Sequence, residues 1–246
     1  MTAITFDAVS KSFKLGFKRT TVLHSLSLSV AQGEIFGFLG PNGAGKSTSI
    51  KLLLDFIRPD KGRILVEECI VGKQPFQDRI GYLPEMPSFY ENITGMELLQ
   101  FAGRSHGMSH SAVDSEGHKI LERLNLAHAA NHRVKTYSKG MKQRLGLALA
   151  LVHDPNIYIL DEPMSGLDPM GRRLITDVIL ELRQKGKTVF FSSHILSDIE
   201  RMCDRIGILH RGRLLYCGNV NKFMDQNGGL EDGFIHLVSG DKESAQ

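Results

Sequence analysis

Cysteine is scarce, long apolar runs are missing and neither sign of charge dominates; each shortage removes a class of protein. Cys69, Cys203 and Cys217 are odd in number and fit no paired metal or redox spacing, which excludes a disulfide framework and leaves reduced thiols as the expectation. The longest apolar stretch, Leu145 to Val152, falls far short of the roughly 20 residues that span a bilayer, so a membrane role must be borrowed from a partner. Basic residues number 30 against 27 acidic, a net charge of +3 that is too mild for a nucleic-acid-binding tract. Met1 to Val9 carry neither the charged nor the apolar region of a signal peptide, and a cytosolic setting is expected. No internal repeat or low-complexity segment is present. At 246 residues the chain can bury one large core with a subordinate lobe.

What is there begins with a glycine loop. Gly40, Pro41, Asn42, Gly43, Ala44, Gly45, Lys46, Ser47 and Thr48 follow the apolar run Ile35 to Leu39, which reads as a buried strand. They precede Ile50, Leu53, Leu54 and Ile57, spaced as one face of a helix that Arg58-Pro59 should end. Strand, glycine loop and helix in that order form a phosphate-binding loop. The glycines let successive N–H groups converge on phosphate oxygens without a Cβ in the way. The helix start adds its positive end, which favours an anion by about 2 kcal/mol at most. Lys46 is expected at the β- and γ-phosphates and the Ser47 hydroxyl at Mg²⁺.

A second buried-strand pattern, Ile157 to Leu160, ends in Asp161, Glu162 and Pro163. Asp161 is expected to hold Mg²⁺ through water, and Glu162 to orient and polarise the water that attacks the γ-phosphate. Outside such a context two adjacent acids would read as a solvated turn.

Three further segments follow the same logic. Tyr137-Ser138-Lys139-Gly140-Met141 runs into a helical pattern with Met141, Leu145, Ala148, Leu149 and Val152 on one face, and Ser138 stands at its N-cap. Ser165-Gly166-Leu167-Asp168 follows the second acidic strand, and Ser192-Ser193-His194 closes the strand Thr188 to Ser192. In this order the chain resembles the ATP-binding cassette (ABC) ATPases, with signature, D-loop and switch histidine, over essentially its whole length. The resemblance implies an α/β fold: a phosphate-loop NTPase core with a mixed, mainly parallel sheet, an N-terminal antiparallel β wing and an α-helical insertion. It implies ATP and Mg²⁺ as ligands, Phe13 stacked on the adenine, and His194 hydrogen-bonded to the γ-phosphate. It also implies a head-to-tail pair of cassettes, identical or not, in which Ser138 and Gly140 of one copy close over ATP held by the other.

Two departures stand out against that pattern. Lys139 and Met141 replace the usual first glycine and closing glutamine of the signature, and Glu85, after Ile80 to Pro84, replaces the usual Q-loop glutamine. Glu85 remains an oxygen donor for Mg²⁺ and adds negative charge.

The organisation expected is one domain at 1–240, with wing and core at 1–85 and 154–240, the helical insertion at 86–153, and a polar tail at 241–246. Ile4, Phe6 and Ala8, like Leu26, Leu28 and Val30, alternate as half-buried strands do. Thr94 with Glu97 reads as a capping box opening a helix to about Gly107, and Asp168-Pro169 starts a helix to about Gln184. Phe13 could equally sit in the core. The resemblance implies that a short helix of a separate membrane permease docks beside the segment from Met86 to Glu91, with Phe89 and Tyr90 as candidate anchors, though both could instead pack inside the insertion. His106 with His110, and His128 with His132, are i, i+4 pairs without an evident third ligand. The basic group Lys135, Lys139, Lys142 and Arg144 reads as a solvated or phosphate-facing surface, with no nucleic acid expected. The Leu-Pro-Glu form of the Q-loop and the ending Leu230 to Phe234 look most like the branch serving drug, lipid or polysaccharide exporters. The function implied is an ATPase subunit at the cytoplasmic face of a membrane. The alternatives are a module that gates a membrane complex without moving solute, or a soluble ABC ATPase acting on ribosomes or DNA.

Overall fold

The computed structural model describes residues 1–16 and 18–243. The elements run β1 (Thr2–Leu15), β2 (Lys18–Ala31), β3 (Ile35–Leu39), α1 (Lys46–Leu53), β4 (Lys61–Val66), β5 (Cys69–Ile70) and β6 (Ile80–Leu83). Next come α2 (Gly95–Ser105), α3 (His110–Arg123), α4 (Lys139–Leu151), β7 (Ile157–Asp161) and α5 (Pro169–Gln184). The chain closes with β8 (Thr188–Ser193), α6 (Leu196–Met202), β9 (Arg205–His210), β10 (Arg213–Asn219), α7 (Val220–Asn227) and α8 (Leu230–Glu243). Two compact units result: Met1–Gln77 with Leu182–Gln246, and Asp78–Glu181. The second unit is larger than a helical insertion at 86–153, because β6 and β7 cluster with the helices.

In the first unit, β2, β1, β4 and β5 form an antiparallel sheet in that order. Leu26, Leu28 and Val30 alternate into its core as expected, but β1 breaks its own alternation. Ile4 and Phe6 are buried, Ala8 is exposed at φ 52, and Val9 takes the inward place. The pairing shifts register between Phe6 and Val9, so a bulge there puts Val9 where the alternation called for Ala8, and further shifts follow between Val9 and Lys11 and between Lys11 and Ser12.

The other strands of this unit, in the order β10, β9, β3, β8, set β3 parallel to both β8 and β9. Every residue of β3 and β8 is buried, the pattern of strands covered on both faces. Phe36 and Phe190 stack at 5.7 Å between ring centroids across the paired strands.

α1 ends at Leu53, so Ile57 lies outside the helix it was expected to extend. Asp55, at φ 59, stops it: the Asp55 N–H reaches Leu52 O at 3.2 Å and the Phe56 N–H reaches Lys51 O at 2.9 Å, the paired bonds of a Schellman motif. At the other end of the chain, α8 continues to Glu243, where a polar tail from 241 was expected. Glu231 and Asp232 in its first turn suit the positive helix end, and polar residues such as Lys and Glu are themselves good helix formers. Residues 244–246 of that expected tail lie outside the described residues.

In the second unit, β6 and β7 pair in parallel, and α2, α3 and α4 pack on one another. The Thr94 hydroxyl accepts the Glu97 N–H at 3.2 Å while the Glu97 carboxylate accepts the Thr94 N–H at 2.7 Å, completing the capping box. α4 is not the one-faced helix its spacing suggested. Gln143, Gly146, Leu147 and Ala150 are buried along with Leu145 and Ala148, because small residues let neighbours approach on several sides. No helix among the described residues is long and apolar enough to cross a membrane.

Candidate nucleotide site

The phosphate loop joins β3 to α1 in the first unit, and three of its groups are already fixed. A Cβ on Gly40 would stand 2.3 Å from Leu209 O, so the loop begins pressed against β9. Ala44 O accepts the Gly212 N–H at 2.9 Å, tying the loop to the tip of the β9–β10 hairpin. The Lys46 ammonium, with only 6% of the residue exposed, donates to Gly40 O at 2.6 Å. Gly45 enters α1 at φ 112 without a side-chain cap, and no acidic residue stands in the helix's first turn. The helix therefore opens with no side-chain cap over its N–H groups and with its positive end, which suits an anion. Asn42, Gly43 and Ser47 are exposed, Pro41 and Thr48 half-buried and Ala44 buried; Gly43, at φ 79, has nothing within 4 Å of where a Cβ would be.

Phe13, on β1 opposite Thr20, is 41% exposed and lies outside the core. The Lys11 ammonium stands 5.5 Å from the centre of its ring. His194 is exposed just beyond the buried end of β8, whose Ser193 hydroxyl accepts the Ile195 N–H at 3.0 Å.

In the second unit, β7 delivers two adjacent carboxylates into burial, Asp161 at 6% and Glu162 at 8% exposure. A solvated turn is excluded. Glu162 has φ 48, a left-handed conformation uncommon outside glycine, and its carbonyl accepts the Ser165 N–H at 2.9 Å. The chain thus turns sharply just where the second acid is presented. Burial, with the Asp161 charge second, pushes the Tyr82 phenol up to about 12. Glu85, two residues past β6, is exposed. Ser47, Asp161 and Glu85 offer a hydroxyl and two carboxylates, the hard oxygen donors that suit Mg²⁺.

At the start of α4, the Ser138 hydroxyl accepts the Met141 N–H at 3.2 Å, and its own proton stays available to donate. The first turn again lacks an acid. The basic group splits up. Arg144 donates to the carbonyls of Gly140, Leu124 and Asn125, at 3.3, 3.0 and 3.1 Å, and Lys142 pairs with Glu91 at 3.0 Å. Arg144 is thus tied into the fold through three backbone carbonyls, whereas Lys142 makes an exposed ion pair, which leaves it on a solvated surface.

Sequence reasoning passed over Gln143. It is buried on α4 and its amide reaches Pro163 O at 3.4 Å, linking the signature helix to the acidic strand. The histidine pairs dissolve as well: the His106 ring stacks on His153 at 3.8 Å, and no cluster of three or more His, Cys, Asp or Glu among the described residues could hold a metal. Burial, then the neighbouring His106, lowers the His153 pKa. Of the two candidate anchors, Phe89 is half-buried and Tyr90 is 81% exposed.

Comparison with known proteins places this geometry. The ABC transporter family profile matches residues 23–165. An uncharacterized ABC transporter ATP-binding protein of Synechocystis sp. is 41% identical over 96% of this chain and 67% of its own length. The Nod factor export ATP-binding protein I of Bradyrhizobium diazoefficiens is 39% identical over 97% of this chain and 77% of its own. A solved structure described as the ATP-binding subunit of an ABC transporter is 30% identical, with a TM-score of 0.87 over 96% of this chain and 99% of that one. Fold and site define an ABC ATPase domain, a mixed and mainly parallel sheet with an antiparallel β subdomain and helices. The chain belongs to the ABC transporter family as an ATP-binding subunit, whose ATP hydrolysis is coupled to transport. Relatives such as the Synechocystis protein extend beyond the part matched here.

Proposed function

We propose that two cassettes pair head to tail around two MgATP and drive a separate permease, as an exporter, from the cytoplasmic face of a membrane. One observation carries the reading: α1 opens from the glycine loop without a side-chain cap, α4 opens at the Ser138 hydroxyl, and neither has an acid in its first turn, so both of these helix ends are fit for phosphate. A single triphosphate bound at α1 leaves the α4 end available to ATP held by a second copy. The name of the Bradyrhizobium relative, an export ATP-binding protein, supports the direction. In this reading residues 86–153 are the insertion that carries the signature, and 1–85 with 154–240 are wing and core.

Lys46 exchanges the Gly40 carbonyl for phosphate oxygens, and the loop N–H groups from Gly40 to Thr48 cradle them. Phe13 offers its exposed ring to the adenine. Ser47, Asp161 and Glu85 hold Mg²⁺, which when bound neutralises charge on the phosphates. Glu162 orients the water whose oxygen bonds to the γ-phosphorus as the bridging P–O bond breaks, and the water's proton passes to the phosphate released. Lys46 and His194 stabilise the charge that develops on the γ-phosphoryl group. Ser138 and Gly140 close the site from the second copy. Tyr90, exposed and aromatic, with Phe89 beside it, docks the permease.

The test uses Glu162→Gln. The variant is expected to bind ATP, to hydrolyse scarcely any, and to sediment as a dimer in saturating nucleotide, whereas Lys46→Ala loses binding and hydrolysis together. Lone protomers of Glu162→Gln at saturating ATP would overturn the pairing, and wild-type turnover would overturn the assigned base.

A further inference from the structure

Lys139, which departs from the signature pattern, is the first residue of α4, and Gly166 lies in the loop between β7 and α5. Gly166 has φ 71, and a Cβ built on it would stand 2.6 Å from Lys139 Cε, 2.8 Å from Nζ and 3.1 Å from Cδ. The outer half of the Lys139 side chain, Cδ to Nζ, lies over Gly166 at the surface, where a side chain at 166 would stand. The reverse contact exists one residue on: a Cβ on Gly140 would meet Leu167 Cδ2 at 3.4 Å. The first turn of α4 and the apex of the loop therefore interlock, lysine over glycine and leucine over glycine.

That loop is the one Glu162 opens. Its own hydrogen bonds run from Ser165 N–H to Glu162 O at 2.9 Å, and from Leu167 N–H to Met164 O at 3.4 Å. It closes where the Asp168 carboxylate accepts the Gly171 N–H at 2.7 Å and caps α5. Glu162 sits in a left-handed conformation that its surroundings must maintain. A cation at the N-terminal end of a helix is electrostatically disfavoured, so helix formation alone does not call for lysine at 139. The long aliphatic stem is what reaches Gly166.

We infer that Lys139 is a positioning residue for hydrolysis: its stem braces Gly166 and, through the loop, the backbone turn that presents Glu162. The inference rests on the reading of Glu162 as the residue that orients the attacking water. Steady-state ATPase measurements on the full chain with Lys139→Gly and Lys139→Met test it. The glycine variant removes the stem; the methionine variant keeps an unbranched chain and loses the charge. Lys139→Gly is expected to lower kcat about tenfold, a modest part of the roughly 10²-fold that a 1 Å misplacement can cost, with KM for ATP within about twofold. Lys139→Met is expected to recover most of that loss. A glycine variant at wild-type kcat would overturn the brace, as would a change confined to KM or a methionine variant as slow as the glycine one. Wild-type turnover in Glu162→Gln would instead sink the underlying reading of Glu162, so the two failures are separable.

Discussion

Gly43→Ala separates what the phosphate loop costs from what it does. Gly43 has φ 79 and nothing within 4 Å of its would-be Cβ, so a methyl group there collides with no part of the folded chain. Its cost to stability is the left-handed conformation alone, about 1–2 kcal/mol for an L-residue. At roughly 2–4 °C per kcal/mol for a chain of this size, the melting midpoint without nucleotide falls by about 2–8 °C. The open side at Gly43 is also where phosphate oxygens must approach the loop N–H groups. A methyl group in that approach is expected to raise the ATP Kd at least about tenfold, or about 1.4 kcal/mol. Thermal unfolding with and without ATP reads both quantities, because ligand adds RT ln(1 + [L]/Kd) to stability. The midpoint should drop modestly in buffer, and the increment produced by ATP should shrink. Gly40→Ala is the contrast: its methyl would stand 2.3 Å from a backbone carbonyl that cannot swing away, so destabilisation of about 3 kcal/mol or more is expected even without nucleotide. An undiminished ATP increment in Gly43→Ala would refute the assignment of that face to phosphate.

Two further outcomes are expected. Phe89→Ala with Tyr90→Ala should leave ATP binding intact while transport in reconstituted vesicles is lost; unchanged transport would remove these residues from the permease contact. The Glu97 pKa is lowered first by the Thr94 backbone N–H and then by the Thr94 hydroxyl, so its contribution is full above the unfolded value of about 4.3 and disappears as pH falls through the lower folded value. Denaturant titrations from about pH 6 to 3 should therefore show a steeper acid loss for wild type than for Glu97→Gln, and parallel curves would contradict it.

Residues whose role depends on neighbours in sequence were legible from sequence. The phosphate loop, the capping box at Thr94, the Ser138 cap and the buried strands β3, β7 and β8 are all local patterns, and each stands where its spacing put it. The misreadings have a common cause. The bulge at Ala8 and the left-handed stop at Asp55 are single-residue backbone events that hydrophobic periodicity does not record. α4 is buried on several sides because of what packs around it, and no pattern along one helix reports its neighbours. Arg144, Gln143 and His106 were opaque for the same reason, since Leu124, Pro163 and His153, which they meet, are remote from them in the chain. For the site, the residue types were readable, whereas the burial of Asp161 and Glu162 and the Lys139–Gly166 contact needed coordinates.

The bond from Gly212 to Ala44 has a kinetic corollary. A ring of backbone stitched to a hairpin tip, with its own lysine holding the first glycine, takes its shape from bonds within the chain. Capture of a triphosphate then needs no folding of the receptor, and the speed of capture is left to diffusion and the pull of opposite charge.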